Sequence, residues 1–370
     1  MWRSVFYCVV RIVALAGIIA PIAHASEPPE PEKDWVEVVR NSPYWVSQGV
    51  YQNITTIRRW VLKERGFCSV ADRHILFDRR GQFLGYIDDA ATRQATQIRL
   101  NETRAALAEK GKVDSWVPGS LSDTGYPFAL SCLQPHVDLS AAVDRYLGRS
   151  ESDLLWGTWD DLIFASQAEP RSLHQAMMYV YQTRLDQQRL DLPATLPRYL
   201  GGQVLIESSG QANAHSRADA KGILQLSPSA LNDCQIKPVN HWHRLAQVDC
   251  ALKLMQQNAR NLEPTFEERF GHLPDMKRDQ LFTLLLVQAY HGGVGRVLSL
   301  LTDEQLSKPA IYFAREHEEY SAGDILFGMI FHNLGRDRLG LASLYYVADV
   351  ELATEALCAT VDLRQEHFCP

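Results

Sequence analysis

Glu207 stands where a carboxyl group is poised to carry a proton. Leu196, Tyr199, Leu200, Val204, Leu205 and Ile206 recur at helical spacing ahead of it. Thr195 and Pro197 read as cap and first helical residue, and Ser208, Ser209 and Gly210 as the stop. A carboxylate at a helix C-terminus meets the negative end of the dipole, and apolar Leu205 and Ile206 remove water from it. Both effects raise its pKa, which suits a general acid. Other side chains fit for chemistry follow in Ser208, Ser216, Gln225, Tyr290, His291 and Tyr346. Ser208 and Ser216 can bond to the carboxylate or a ligand, or satisfy nearby backbone. Gln225 can aim its amide at a ligand or fix its own loop. Tyr290 and Tyr346 offer a polar tip on an apolar ring. The acidic run Glu316, Glu318 and Glu319 reads as a solvated helix face, and it is the one source of a second carboxylate if the chemistry needs a pair. His241, Trp242 and His243 with His272 lack the spacing of a helical His-x-x-x-His pair, so no metal site is expected and no cofactor is implied.

Positioning these groups falls to a mostly helical C-terminal half. Helices are expected over 172–190, 195–207, 246–261, 279–290 and 325–333, with Gly or Pro between most of them. Leu281–Val287 is apolar all round, the mark of a helix buried on every side, and its last turn delivers Tyr290 and His291. Residues 34–165 form a smaller α+β region of mixed character, an accessory domain or a packing shell. Within it, 74–87 reads as a hairpin turning at Arg80-Gly81, 90–110 as a helix closed by Gly111, and 116–127 as a loop. Asn53 and Asn101 head glycosylation sequons of a kind that also arises by chance.

The segment Glu207-Ser-Ser, Asn213-Ala-His-Ser216, Ala220-Lys-Gly-Ile-Leu-Gln225 and Pro228 resembles the soluble lytic transglycosylase family, the goose-lysozyme-like enzymes that cut peptidoglycan strands. Ala289-Tyr-His-Gly-Gly-Val-Gly-Arg-Val297 and Tyr346-Val-Ala-Asp-Val350 are similar to two further blocks of that family, in the same order. The likeness spans about residues 195–352. It implies a mainly α, lysozyme-like (α+β) catalytic domain over 166–370, after the 34–165 region. It also implies a single catalytic acid, Glu207, with Ser208, Ser216, Gln225, Tyr290, His291 and Tyr346 around the sugar. The implied reaction cleaves the MurNAc-GlcNAc β-1,4 bond and closes a 1,6-anhydroMurNAc ring. A goose-type muramidase that adds water, and a non-catalytic peptidoglycan-binding or assembly protein, are the alternatives. Four positions depart from the pattern. Gly210 stands for an aromatic residue, Asp219 for Gly, Ile223-Leu224 for Leu-Met, and His291 for Asn. Asp219 suits a left-handed turn position, which Asp tolerates better than most residues.

Arg3 and Arg11, the apolar stretch Val9–Ala20 and Ala23-His-Ala25 read as a secretory signal over 1–25, followed by a Pro/Glu linker over 26–33. The expected location is the periplasm, with no membrane span once the signal is removed. Its loss removes two cations and no anions, taking the net charge from −7 to −9. That acidic balance argues against a nucleic-acid binder. Cys68, Cys132, Cys234, Cys250, Cys358 and Cys369 remain, an even set in an oxidising compartment, and pairing between sequence neighbours is favoured, as in Cys234 with Cys250 and Cys358 with Cys369.

Overall fold

The computed structural model describes residues 35–37, 49–63, 72–78, 82–111, 128–131, 137–334, 336, 339–364 and 369. The expected signal and linker, the turn at Arg80-Gly81, the 116–127 loop, Cys68 and Cys132 lie outside the described residues. The fold is mainly helical, with two small antiparallel sheets. Among the described residues no helix is long and apolar enough to cross a membrane.

Strands β1 (Arg73–Phe77) and β2 (Phe83–Asp88) form the expected hairpin, pairing His74 with Ile87, and β3 (Phe128–Ser131) adds on the other side of β1. Helix α1 (Tyr51–Lys63) precedes this sheet, and α2 (Arg93–Glu109) follows β2. Asn53 is 1% exposed on α1, so burial removes it as a glycan acceptor. Next come α3 (Leu139–Tyr146), the short hairpin β4 (Gly157–Trp159) and β5 (Leu162–Phe164), and α4 (Leu173–Asp186). Ser172 and Gln175 close a capping box at the start of α4.

The helices that matter most for Glu207 are α5 (Pro197–Ser208), α7 (Arg244–Phe270), α8 (Asp275–Gly292) and α12 (Leu341–Cys358). Between them run α6 (Pro228–Asp233), α9 (Val294–Thr302), α10 (Lys308–Arg315) and α11 (Ala322–His332). Glycines set the closest of these packings. A Cβ on Gly202 would lie 2.3 Å from Thr354 Oγ1 and 2.4 Å from the Val350 carbonyl, and one on Gly201 would strike Leu357 and Tyr146. Two adjacent glycines cost helix propensity, yet they let the α5 and α12 backbones touch. Contacts of Gly201 with Leu357, Gly202 with Val350 and Glu207 with Tyr346 run the two helices antiparallel.

Pro197 opens α5 as expected, but Thr195 is not its cap. Leu196 holds that position, and the Thr195 hydroxyl meets Thr283 Oγ1 at 2.5 Å. The apolar run at 281–287 is buried as its composition predicts, except for half-buried Phe282. The expected helix at 246–261 is longer than its periodicity suggests and continues through Pro264 to Phe270. Cys234 pairs with Cys250, fixing the end of α6 to α7, and Cys358 pairs with Cys369. Both are pairings between sequence neighbours.

Candidate functional site

Helix α5 ends one residue past the acid. Ser209 takes the left-handed conformation at φ 55° and donates its N–H to the Leu205 carbonyl, and Gly210 follows at φ 73°. This turn leaves Glu207, a half-buried residue, in the last helical turn. Tyr346, 5% exposed on α12, donates its hydroxyl to Glu207 Oε1 at 2.6 Å. Among the described residues it is the one hydrogen-bond partner of that carboxyl group.

Burial raises the Glu207 pKa to about 7, and the Tyr346 hydrogen bond opposes that rise. Neither influence is a second carboxylate. The direction agrees with the sequence reading, with loss of water as the leading cause. Burial and the neighbouring Glu207 charge push the phenols of Tyr346 and Tyr290 well above their usual value. Tyr346 therefore stays a donor at any pH where Glu207 titrates. A carboxyl group half-protonated near neutrality, gripped on one oxygen, can give a proton to a leaving group and later take one back.

His291 covers the other partner. Its ring lies on Tyr346 at 4.2 Å between centroids and 15° between planes, a parallel stack that confines the phenol. Desolvation of the ring and the nearby Arg296 charge lower its pKa, which disfavours the charged imidazolium. The Tyr290 hydroxyl donates to the Leu224 carbonyl at 2.6 Å, so it ties α8 to the loop after Glu207.

That loop, residues 209–227, is held by the remaining predicted residues. Ser208 is buried, donates to the Val204 and Ile223 carbonyls and accepts from Gly210 N–H. Ser216 Oγ accepts from the N–H groups of Ala218 and Ala220. Gln225, at φ 46°, donates its amide to the carbonyls of Ala214 and Gly222. All three therefore serve local backbone, one of the two roles their sequence allowed. Asp219 holds a left-handed position at φ 62°, as expected of that departure. Gly222 is required where it stands, since at φ 73° a Cβ would fall 1.7 Å from the Gln247 amide nitrogen.

Gly210 has a packing reason for being small: a Cβ there would meet Arg145 Cβ at 3.3 Å and the Ala142 carbonyl at 3.4 Å. Helix α3 thus packs against the turn after Glu207, and Arg145 Nε donates to the Ser209 carbonyl at 2.7 Å. His241, His243 and His272 do not converge. His243 caps the start of α7 through Ala246 N–H, whereas His272 lies past its far end, about 40 Å of helix away, against the Ala314 carbonyl. Glu318 and Glu319 are exposed as expected, but they lie on a single 3-10 turn and not on a helix face, and half-buried Glu316 pairs with Arg315 at 2.6 Å.

Sequence reasoning missed Gln203 and Gln247. Gln203 is fully buried on α5, one turn before Glu207, and donates to the Tyr346 hydroxyl at 3.4 Å. Its signal was a lone amide within the apolar run Leu200–Ile206. Gln247, fully buried on α7, accepts from Leu224 N–H and donates to the His241 carbonyl. No family model matches the chain, and no curated protein does either.

Proposed function

We propose that this chain is an exported peptidoglycan lytic transglycosylase acting in the periplasm, with a lysozyme-like catalytic domain around α5, α8 and α12. The observation that carries the reading is the half-buried Glu207 at a helix end, its pKa raised to about 7, bonded to Tyr346, whose own pKa burial pushes well above its usual value. Glu207 in its acid form gives its proton to the glycosidic oxygen, and the bond from the MurNAc C1 to that oxygen breaks. The acetamido oxygen of the same sugar stabilises the cationic centre. Glu207, now a carboxylate, takes the proton of the C6 hydroxyl as that oxygen bonds to C1, which closes the 1,6-anhydro ring. No water is consumed, and the carboxyl group ends in the state in which it began.

Tyr346 holds the carboxylate formed midway, since its hydrogen bond favours the charged state. His291 fixes the ring that makes this bond. One acid suffices for such a cycle because the sugar supplies its own nucleophile. Digestion of purified sacculi, with products identified by mass spectrometry, tests the proposal. The expected products are lighter by one water than those of hydrolysis, and Glu207→Gln is expected to stop their formation. Reducing-end products would assign a muramidase. Intact sacculi with retained binding would assign a non-catalytic wall-binding protein.

A further inference from the structure

A cavity of about 630 Å³ is walled by the start of α4, the residue after α3 and the segment that follows α12, and none of the residues around Glu207 lines it. That volume suits a small molecule. Leu147, Phe164, Met178 and Leu363 give it apolar walls. Arg171, exposed just ahead of the α4 cap, also lines it and has no side-chain partner among the described residues. Gln175 accepts from Ser172 N–H at 3.1 Å through its side-chain oxygen, within the capping box, which leaves its NH2 group unused. Tyr179 lies one turn further along the same face of α4. Its oxygen accepts from Ile163 N–H at 3.2 Å, and its own proton meets no acceptor among the described residues.

Three unused donors thus share one cavity. The one carboxylate in its lining, Asp362, is already held in an ion pair by Arg149. A cation would need open acceptors here, and a sugar would need them for its hydroxyl protons. An oxyanion needs donors alone, and a guanidinium grips a carboxylate through two parallel N–H groups. A general attraction for anions is not the source, because the chain carries a net charge of −7. The donors also stand on fixed backbone. Arg171 exchanges both backbone hydrogen bonds with Leu155, at 2.8 and 2.9 Å, and Phe164 packs against the Tyr179 ring with centroids 5.2 Å apart.

We propose that this cavity binds a small organic carboxylate with an apolar body, its charge on Arg171, Gln175 and Tyr179 and its body against Phe164 and Met178. The site is separate from Glu207 and stands whether or not Glu207 cuts a glycan. The test uses the full chain labelled with carbon-13 at its methionine methyl groups, with the Met178 signal assigned by Met178→Leu. Titration with 3-phenylpropanoate is expected to move that signal, and 3-phenylpropanamide, which has the same body without the charge, should bind at least about tenfold more weakly. N-acetylphenylalanine probes the end of a polypeptide as the source of the carboxylate: binding tighter than that of 3-phenylpropanoate assigns a chain end, and weaker binding a free acid. Arg171→Leu should weaken binding at least about fivefold, while Asp362→Asn should tighten it by leaving Arg149 to the ligand. Thermal melts establish that each variant is folded. A Met178 signal unmoved by both acids, equal binding of acid and amide, or undiminished affinity in folded Arg171→Leu overturns the proposal.

Discussion

Tyr346→Phe isolates what the phenol does for the acid. The hydroxyl meets Glu207 Oε1 at 2.6 Å and stabilises the carboxylate, so its removal must raise the Glu207 pKa above its present value of about 7. A hydrogen bond to a charged group contributes about 1.5–3 kcal/mol, and one pKa unit corresponds to about 1.4 kcal/mol. The expected rise is therefore about one to two units. The Phe ring keeps the stack on His291, and Gln203 loses only a 3.4 Å contact, so the rest of the site stays in place. Carbon-13 NMR of labelled glutamate carboxyl groups, with Glu207→Gln to identify the signal, reads the shift directly and needs no substrate. Activity should fall, because a weaker acid protonates a leaving oxygen less readily, and the alkaline limb of the pH profile should move upward. An unchanged or lowered Glu207 pKa in Tyr346→Phe would refute the reasoning.

The same carboxyl group links stability to pH. With a folded pKa of about 7 against an ordinary 4.5, it costs nothing while protonated in both states and destabilises as pH rises from about 4.5 through 7. Glu207→Gln should therefore stabilise the fold above pH 7 by up to about 3 kcal/mol, read as a higher melting temperature, and have little effect near pH 4; an equal gain at both pH values would exclude burial of the charge as its source. Gly222→Ala adds a left-handed strain and displaces buried Gln247, so chemical denaturation should show a loss of about 2–4 kcal/mol, against near-neutrality if the loop simply opens. Breaking Cys234–Cys250, whose partners are 16 residues apart, should cost about 3 kcal/mol, visible as a lower melting temperature for the Cys→Ser pair in the absence of reductant.

What could be read from sequence was whatever depends on local pattern. The helix start at Pro197, the stop after Glu207, the buried run at 281–287 and the left-handed Asp219 each follow from a residue's own conformational preferences. The raised acid pKa was legible too, since apolar neighbours and a helix end sit beside Glu207 in the chain. What escaped were relations across the fold. Thr195 looks like a cap until Thr283 arrives from another helix to take its hydroxyl. Ser208, Ser216 and Gln225 carry groups that suit a ligand or a turn equally, and only the folded loop shows them bonded to backbone carbonyls and amides. Gln203 shows in sequence only as a lone amide in an apolar run, because the partner that explains it lies 143 residues away. The reason for Gly210 is equally hidden, since the helix that crowds it, α3, lies far from it in sequence.

Helix α12, which presents Tyr346 to the acid on one side, is braced on the other by α1. Arg58 forms a two-pronged ion pair with Asp349 at 2.7 and 2.8 Å and lays its guanidinium over Tyr345, beside wholly buried Ile54 and Ile57. Helix α1 is thus a buttress for the Glu207–Tyr346 pair. A shortened chain begun after Lys63 would strand Asp349 without its cation and bare an oily seam along α12. Lesions in α1 should accordingly be felt as a detuned acid long before they are felt as a lost fold.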